Sequence, residues 1–558
     1  MTLTIEMWLD SLGRKKPRLC PIWPPDVYGI SGALLKRSGA YLRIFEMHPP
    51  DGYLKDVQAV GVAWRKRIDA QRHPTFDSLV RARPNELNVS WEALMRARSL
   101  PISEIQSSRA LTEHLIRMTL IADEASAGIG VDWDNVTEDG PIPSPFLSLA
   151  DRIKSTQDLR TFGWEISCDV VCVLGKQHTP QVGATFRSLT HHLSLYLPND
   201  IEARWHGPYQ QWQESSDTSN MVNLLLLPWP NEIETADFSE VQTRAHRTDA
   251  DDETPGYFSF RPSDTLTPQK FGRALRRTLA AAREHTNQID AVVFPEAALT
   301  LEQYDVAEQI AVEQRIILIC GVRIARGRRR DSNLCVIQPA GAMREGASTG
   351  RAKRRLVNDM RLVQAKHHRW CLNRDQLVCY QLGGQLSISR SWWENIELPE
   401  RLLYFLSLNR LTWSVLICED LARQDPAADL IRAVGPNLLI ALLMDGPQLK
   451  DRWAARYASV LAEDPGSSVL TLTSLGMARR SRPFLRTTGR RAEPSQVIAL
   501  WRDAVSGEVE ICLDAEENAC VLSLECRRRN EYSADGRRDG TQSRYPVFAG
   551  FKSFRSEL

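Results

Sequence analysis

The sequence predicts an α/β fold, a layered sandwich over residues 222–527 preceded by a separate α-rich or mixed domain. After residue 221, short Val/Ile/Leu runs alternate with helical patterns, the helices carry their own start and stop signals, and strands dominate toward the end. Such alternation lets helices cover a sheet whose strands are apolar on both faces.

The strand candidates are 222–228, 290–294, 315–321, 333–337, 402–408, 413–418, 437–443, 468–473, 497–501, 509–513 and 520–524. Thr267 before Pro268 reads as an N-cap with proline at the first helical position, and Phe271, Leu275, Leu279 and Ala282 mark one face. Thr300 and Gln303 have capping-box spacing. Asp425-Pro426 opens a further helix that Gly435 closes. Before residue 206 the signals are sparser. Residues 107–127 have helical spacing through Leu111, Leu115, Met118 and Ile121. Cys168-DVVCVL reads as a buried strand, and Phe186-RSLTHHLSLYL as a helix. The expected organisation is a domain over 1–206, a polar linker over 207–221, the α/β domain over 222–527 and a tail over 528–558.

The composition, 43% hydrophobic and 25% charged, is that of a globular protein, and 558 residues imply more than one domain. With 70 basic against 69 acidic residues, the net charge of +1 excludes a polycation as a whole. Eleven Cys without a C-x-x-C pair fit neither a disulfide framework nor a zinc site, and Cys172, Cys320, Cys512 and Cys520 lie in apolar runs as small core residues do. The first residues lack a signal-peptide core, and no run approaches the roughly 18 apolar residues of a membrane span. A cytoplasmic protein without membrane contact, metal or cofactor is expected.

Three strand-like runs end in residues that carry chemistry: Glu296 after Val292-VFP, Lys366 after Gln364-A, and Cys418 after Ser414-VLI. Each has an ordinary alternative: a helix-start carboxylate, a surface lysine and a core thiol. Together they are complementary. A carboxylate takes the thiol proton, the thiolate attacks a carbonyl, and an ammonium holds the oxyanion, joined by the backbone N–H of Glu419 after the nucleophile.

Phe294-Pro295-Glu296, Lys366 and Ile417-Cys418-Glu419-Asp420 resemble, in this order, the Glu–Lys–Cys signatures of the nitrilase, or carbon–nitrogen hydrolase, superfamily. The resemblance covers about 220–527 and includes the helix, glycine and strand after Cys418. It implies a four-layer α-β-β-α sandwich, a homodimer or higher oligomer, and hydrolysis of an amide, nitrile or carbamoyl C–N bond through a thioester. It further implies Cys418 as nucleophile, Glu296 as general base and Lys366 as oxyanion stabiliser. A second active-site glutamate is expected between Lys366 and Cys418. Glu394 is the best match, with Glu397 and Glu400 as competitors. Two departures stand out: 52 residues separate Lys366 from Cys418, a long gap, and Ser474 stands where the family usually has Asn.

Residues 321–369 hold thirteen Arg/Lys against three acidic residues. Arg328, Arg329, Arg354 and Arg355 are candidates for binding an anion, a protein or nucleic acid. An alternative function follows by resemblance: a nitrilase-like module that binds a partner or nucleic acid in a bacterial antiviral defence complex.

Overall fold

The structure is a computed structural model that describes residues 2–46, 52–71, 74–129, 160–181, 183–197, 201–206, 220–241, 254–263, 266–327, 329–339, 360–408, 411–485, 490–538 and 543–558, with the short pieces 136–137, 140–141, 146 and 149–150. It is a mixed α/β protein with several sheets. The helices of the first part include α1 (Pro24–Ser38), α2 (Tyr53–Asp69), α3 (Asn85–Arg96) and α4 (Arg109–Ala125). In chain order the strands that matter here are β1 (Cys172–Gly175), β2 (Leu193–Tyr196), β3 (Glu202–His206), β4 (Met221–Leu226), β5 (Gly256–Phe260) and β6 (Ala291–Val293). They continue with β7 (Ile317–Ile324), β8 (Ser332–Gln338), β9 (Leu362–Ala365), β10 (Trp392–Glu394), β11 (Leu402–Leu408) and β12 (Leu411–Ile417). The last are β13 (Leu438–Leu443), β14 (Ser468–Thr473), β15 (Val497–Asp503), β16 (Gly507–Cys512), β17 (Ala519–Arg529) and β18 (Ser543–Phe554).

Two large sheets position the site. One runs β9-β8-β7-β6-β4-β17-β18 and the other β16-β15-β14-β13-β12-β11-β3. In the first sheet, successive residues point to opposite faces, as a strand requires. Leu225, Val292, Leu318 and Cys320 pack with Phe271, Leu275, Tyr304 and Ile310 of the helices α5 (Pro268–Ala282) and α6 (Leu301–Gln314). Leu224, Ala291, Ile317 and Ile319, on the other face, share a core with Val415, Leu439 and Leu470 of the second sheet. A direct tie crosses between the sheets, where Gln364 Nε2 donates to the Val415 carbonyl at 2.9 Å. Both helix starts follow their sequence signals: Thr267 caps α5 and Thr300 forms a capping box with Gln303.

Several sequence expectations need correction. Residues 186–197 do not form one helix. A short 3-10 turn spans Phe186–Leu189, and β2 follows. The Asp123 carboxylate accepts the backbone N–H groups of His191, His192 and Leu193 at 2.7–3.0 Å, which takes donors a helix would use and holds the chain extended beside β1. The boundary drawn after residue 206 cuts through the second sheet, because β3 pairs in parallel with β11. The core of the first part is continuous with that sheet, from Trp23 and Leu115 to Trp205 and Phe405. The linker expected over 207–221 falls mostly outside the described residues. Residues 528–558, expected to be a tail, contain β18, which pairs with β17 along its length. Cys512 is exposed because it alternates with buried Ile511 on an edge strand. All eleven Cys are free. Among the described residues, no helix is long and apolar enough to cross a membrane.

Buried ion pairs fasten the end of the chain to its beginning. The Arg537 guanidinium is fully buried, paired with Asp535 at 2.8 Å and with Glu124 of α4. Glu531 accepts from the Thr179 N–H and lies 3.2 Å from His178 Nδ1. Removing one partner of a buried pair strands the other, at a cost of about 3–5 kcal/mol. Arg537→Ala is therefore expected to lower the urea midpoint markedly, with probes in both parts of the chain losing signal together.

Candidate functional site

Three strand ends deliver the side chains. Glu296 follows β6 through Phe294-Pro295, and the turn is pressed onto β7: Gly321 N donates to the Pro295 carbonyl at 3.1 Å and Ala297 takes φ 51°. A Cβ on Gly321 would lie 2.5 Å from Ala297 N and 2.6 Å from Glu296 Cα, so only glycine lets the turn approach. Lys366 follows β9, and its N–H donates to the Asn333 carbonyl at 3.0 Å. Cys418 follows β12 at φ 48°, ψ −106°, a strained conformation for a non-glycine residue. Its N–H is held by the Leu442 carbonyl at 2.9 Å. A four-residue helical turn begins at Glu419, whose N–H therefore lacks a partner within that turn.

The three residues converge. Lys366 Nζ donates to Glu296 Oε1 and to Glu394 Oε2, each at 2.7 Å. Asn333 Nδ2 bridges the same two carboxylates, at 2.8 Å to Glu296 Oε1 and 2.9 Å to Glu394 Oε1. Glu296 Oε2 is buried without a hydrogen-bond partner among the described residues, and the Cys418 thiol, with Lys366 and Glu394, is close enough to act on this carboxyl. All four ionisable groups are buried, with residue exposures of 1–5%.

Burial dominates the electrostatics. It pushes the Glu296 carboxyl up, Glu394 adds to the rise and Lys366 opposes it. It also pushes the Cys418 thiol well above its ordinary value, reinforced by Glu296 and only partly offset by Lys366 and the Met444 N–H. A nearby ammonium lowers a thiol pKa, but here burial outweighs Lys366. Burial alone would lower Lys366, but the carboxylates of Glu296 and Glu394 outweigh it and hold the ammonium well above the usual lysine range. The resting arrangement is a protonated thiol near a buried carboxyl whose Oε1 is anchored by the Lys366 ammonium.

Glu394 is the glutamate the sequence singled out, and its competitors lie outside the cluster: Glu397 pairs with Arg326 at 3.3 Å and Glu400 is exposed. Glu394 is held in turn by the Trp370 N–H at 3.2 Å. Asp420, read only as part of an acidic pair, ties the lysine turn to the cysteine turn. Its carboxylate accepts the N–H groups of His367 and His368 at 3.0–3.1 Å and lies 2.9 Å from His368 Nδ1. Asn333 and Gly321 escaped the sequence reading. Each sits inside a strand, where its only signal is a polar or side-chain-less residue interrupting an apolar run. Ser474 caps a short helix by accepting the Met477 N–H. Of the anion-binding candidates, Arg329 is exposed, while Arg328, Arg354 and Arg355 lie outside the described residues. Among the described residues, no group of His, Cys, Asp and Glu has metal-binding geometry.

No family model matches the chain, and no curated protein matches it. Solved structures of the nitrilase superfamily do match part of it. An amidase from Nesterenkonia sp. is 12% identical, with 55% of this chain and 90% of that chain covered at a TM-score of 0.31. Nit3 of Saccharomyces cerevisiae, a member of branch 10 of the nitrilase superfamily, is 11% identical over 52% and 86% at 0.30. A carbon–nitrogen hydrolase from Helicobacter pylori G27 is 11% identical over 52% and 86% at 0.29.

Gly321 offers a test of the local geometry. Gly321→Ala forces the Glu296 turn off β7, an overpacking expected to cost about 1–3 kcal/mol and to lower the urea midpoint, read by tryptophan fluorescence.

Proposed function

We propose that the chain is a cysteine-dependent hydrolase of a non-peptide C–N bond in an amide, nitrile or carbamoyl compound, acting through a thioester. The layered packing of helices and two sheets is read as the α-β-β-α sandwich that such chemistry implies. The observation that carries the reading is the buried cluster in which Lys366 and Asn333 occupy Glu296 Oε1, Oε2 has no hydrogen-bond partner among the described residues, and the Cys418 thiol lies close enough to act on the same carboxyl.

For an amide, Glu296 takes the thiol proton as the sulfur attacks the carbonyl carbon. Electron density moves to the carbonyl oxygen, where the remaining Lys366 N–H and the Glu419 N–H stabilise it. Collapse of the tetrahedral species breaks the C–N bond, and Glu296 returns the proton to the departing amine. Water then enters, gives its proton to Glu296 and attacks the thioester. The second collapse releases the carboxylic acid and restores the thiol. Glu394 and Asn333 touch neither sulfur nor substrate in this scheme. They hold Lys366 and Glu296 in place.

Ammonia release from a panel of short amides, with intact mass measured after rapid acid quench, tests the reading. The expected result is an acyl adduct on Cys418 and loss of turnover by roughly a thousandfold or more in Cys418→Ala and Glu296→Gln. Adduct formation at another cysteine, or turnover that survives Cys418→Ala, would overturn it.

The pH profile follows from the direction of the Glu296 shift. A raised carboxyl remains protonated, and so unable to accept the thiol proton, to a higher pH than an ordinary glutamate near 4.3. The acid limb of kcat/KM is therefore expected above the usual carboxylate range, and Asn333→Ala, which removes one donor from Glu296, should move it further upward.

A further inference from the structure

The first part of the chain holds a cavity of about 850 Å³ that shares no lining residue with the Glu296–Lys366–Cys418 cluster. Ligand pockets commonly measure about 300–1,000 Å³. Its walls come from residues 13–22, from the short helix Phe76–Ala82 with Arg83 after it, and from residues 160–169. The walls are braced against one another. Buried Arg14 pairs with Glu165 at 2.8 Å, and Ser167 N donates to the Leu12 carbonyl at 2.9 Å. Arg83 Nη1 donates to the carbonyls of Cys20 and Pro21. The space is thus a standing feature of the fold.

Two properties of the lining point to a ligand. The first is apolar surface left to water: Leu19, Phe76, Val80 and Trp164 are 38–56% exposed around this one cavity. Phe76 and Val80 lie four apart on their helix and so share a face. The second is positive charge without compensation. Glu165 is taken by Arg14 and the Ile22 N–H, and Asp169 by Arg160 at 3.1 Å. Lys15, Lys16 and Arg83 have no ion-pair partner among the described residues. Lys16 Nζ instead lies 5.7 Å from the centre of the Phe76 ring, and Arg83 Nε is buried without a hydrogen-bond partner among the described residues.

One ligand meets both needs if it joins a flat apolar face to several negative charges. An alkyl-chain anion fits badly, because Arg14, Glu165, Ser167 and Asp169 put polar groups along walls that the chain would cover. A nucleoside polyphosphate fits. Its base stacks on the Trp164 ring, and its phosphates take charge-assisted hydrogen bonds from Lys15, Lys16 and Arg83. We propose that this cavity is a nucleotide-binding site that takes a nucleoside polyphosphate. The site is independent of the hydrolase chemistry and stands or falls without it.

Equilibrium dialysis of the full chain against ATP, GTP, CTP and UTP, each up to about 1 mM, tests the proposal. The matching nucleosides and tripolyphosphate serve as the two halves of the ligand. At least one nucleotide should bind, with its nucleoside and tripolyphosphate each weaker by about tenfold or more. Lys15→Ala combined with Lys16→Ala should weaken the nucleotide about tenfold and leave the nucleoside unchanged. Trp164→Ala should weaken it about fivefold or more and leave tripolyphosphate unchanged, while Trp164→Phe restores most of the affinity. All three side chains are exposed, so the urea midpoint should stay where it is. The site is overturned if no nucleotide is retained, if neither variant changes retention, or if tripolyphosphate binds as tightly as the nucleotide. Retention of a single-stranded oligonucleotide where no single nucleotide binds would also overturn it, in favour of a surface that tracks a strand.

Discussion

An ammonium buried between two carboxylates is the interaction on which the rest of the site depends. Lys366 lies 2.7 Å from both Glu296 and Glu394, with no water-facing surface on its side chain. Burying ions costs several kcal/mol each, and the cost is met only when geometry and hydrogen bonds are good. Here Asn333 supplies a further donor to each carboxyl group. Loss of any member leaves its neighbours with uncompensated charge. The sheet ladder around Gly321 and the Asp420 carboxylate exist, in effect, to keep the strand ends that carry this triad from drifting apart.

Much of the second part of the chain was legible in its sequence because its strands are continuous apolar runs with strong caps between them. Thr267, Thr300 and Gly435 act where their residue types suggested. Glu296, Lys366 and Cys418 were visible because each closes a strand-like run with a group that needs a partner, and Glu394 through the family resemblance, by its distance before Cys418. Asn333 was not, since a polar residue at a strand start ordinarily faces water. Only the pairing of β8 with β9 brings it beside Lys366 and so next to the carboxylates. The first part was harder to read for a different reason. Its turns are organised by distant carboxylates, such as Asp123 with residues 191–193 and Asp26 with the N–H groups of Trp164 and Glu165, and no local pattern announces such contacts.

Cys418 combines two properties that pull apart. Its backbone is strained, which presents the side chain at a tight turn, and its surroundings keep the thiol protonated. Under the proposed chemistry this separates readiness from reactivity. A thiolate exists only while a carbonyl is present to consume it, so the resting sulfur is a poor target for oxidants, which attack thiolates.

The ties between Arg537 and Glu124, 413 residues apart in sequence, bear on how the protein assembles. Contacts of such separation close late, because the chain entropy lost in bringing the ends together must be met before the contact forms. Helix α4 carries Asp123 and Glu124 and is synthesised before residue 537, so Glu124 can gain its buried Arg537 partner only after that later segment is made. During translation the first part therefore waits with an incomplete core. That interval exposes the growing chain to chaperones and proteases, a vulnerability set by topology and independent of the stability of the finished protein.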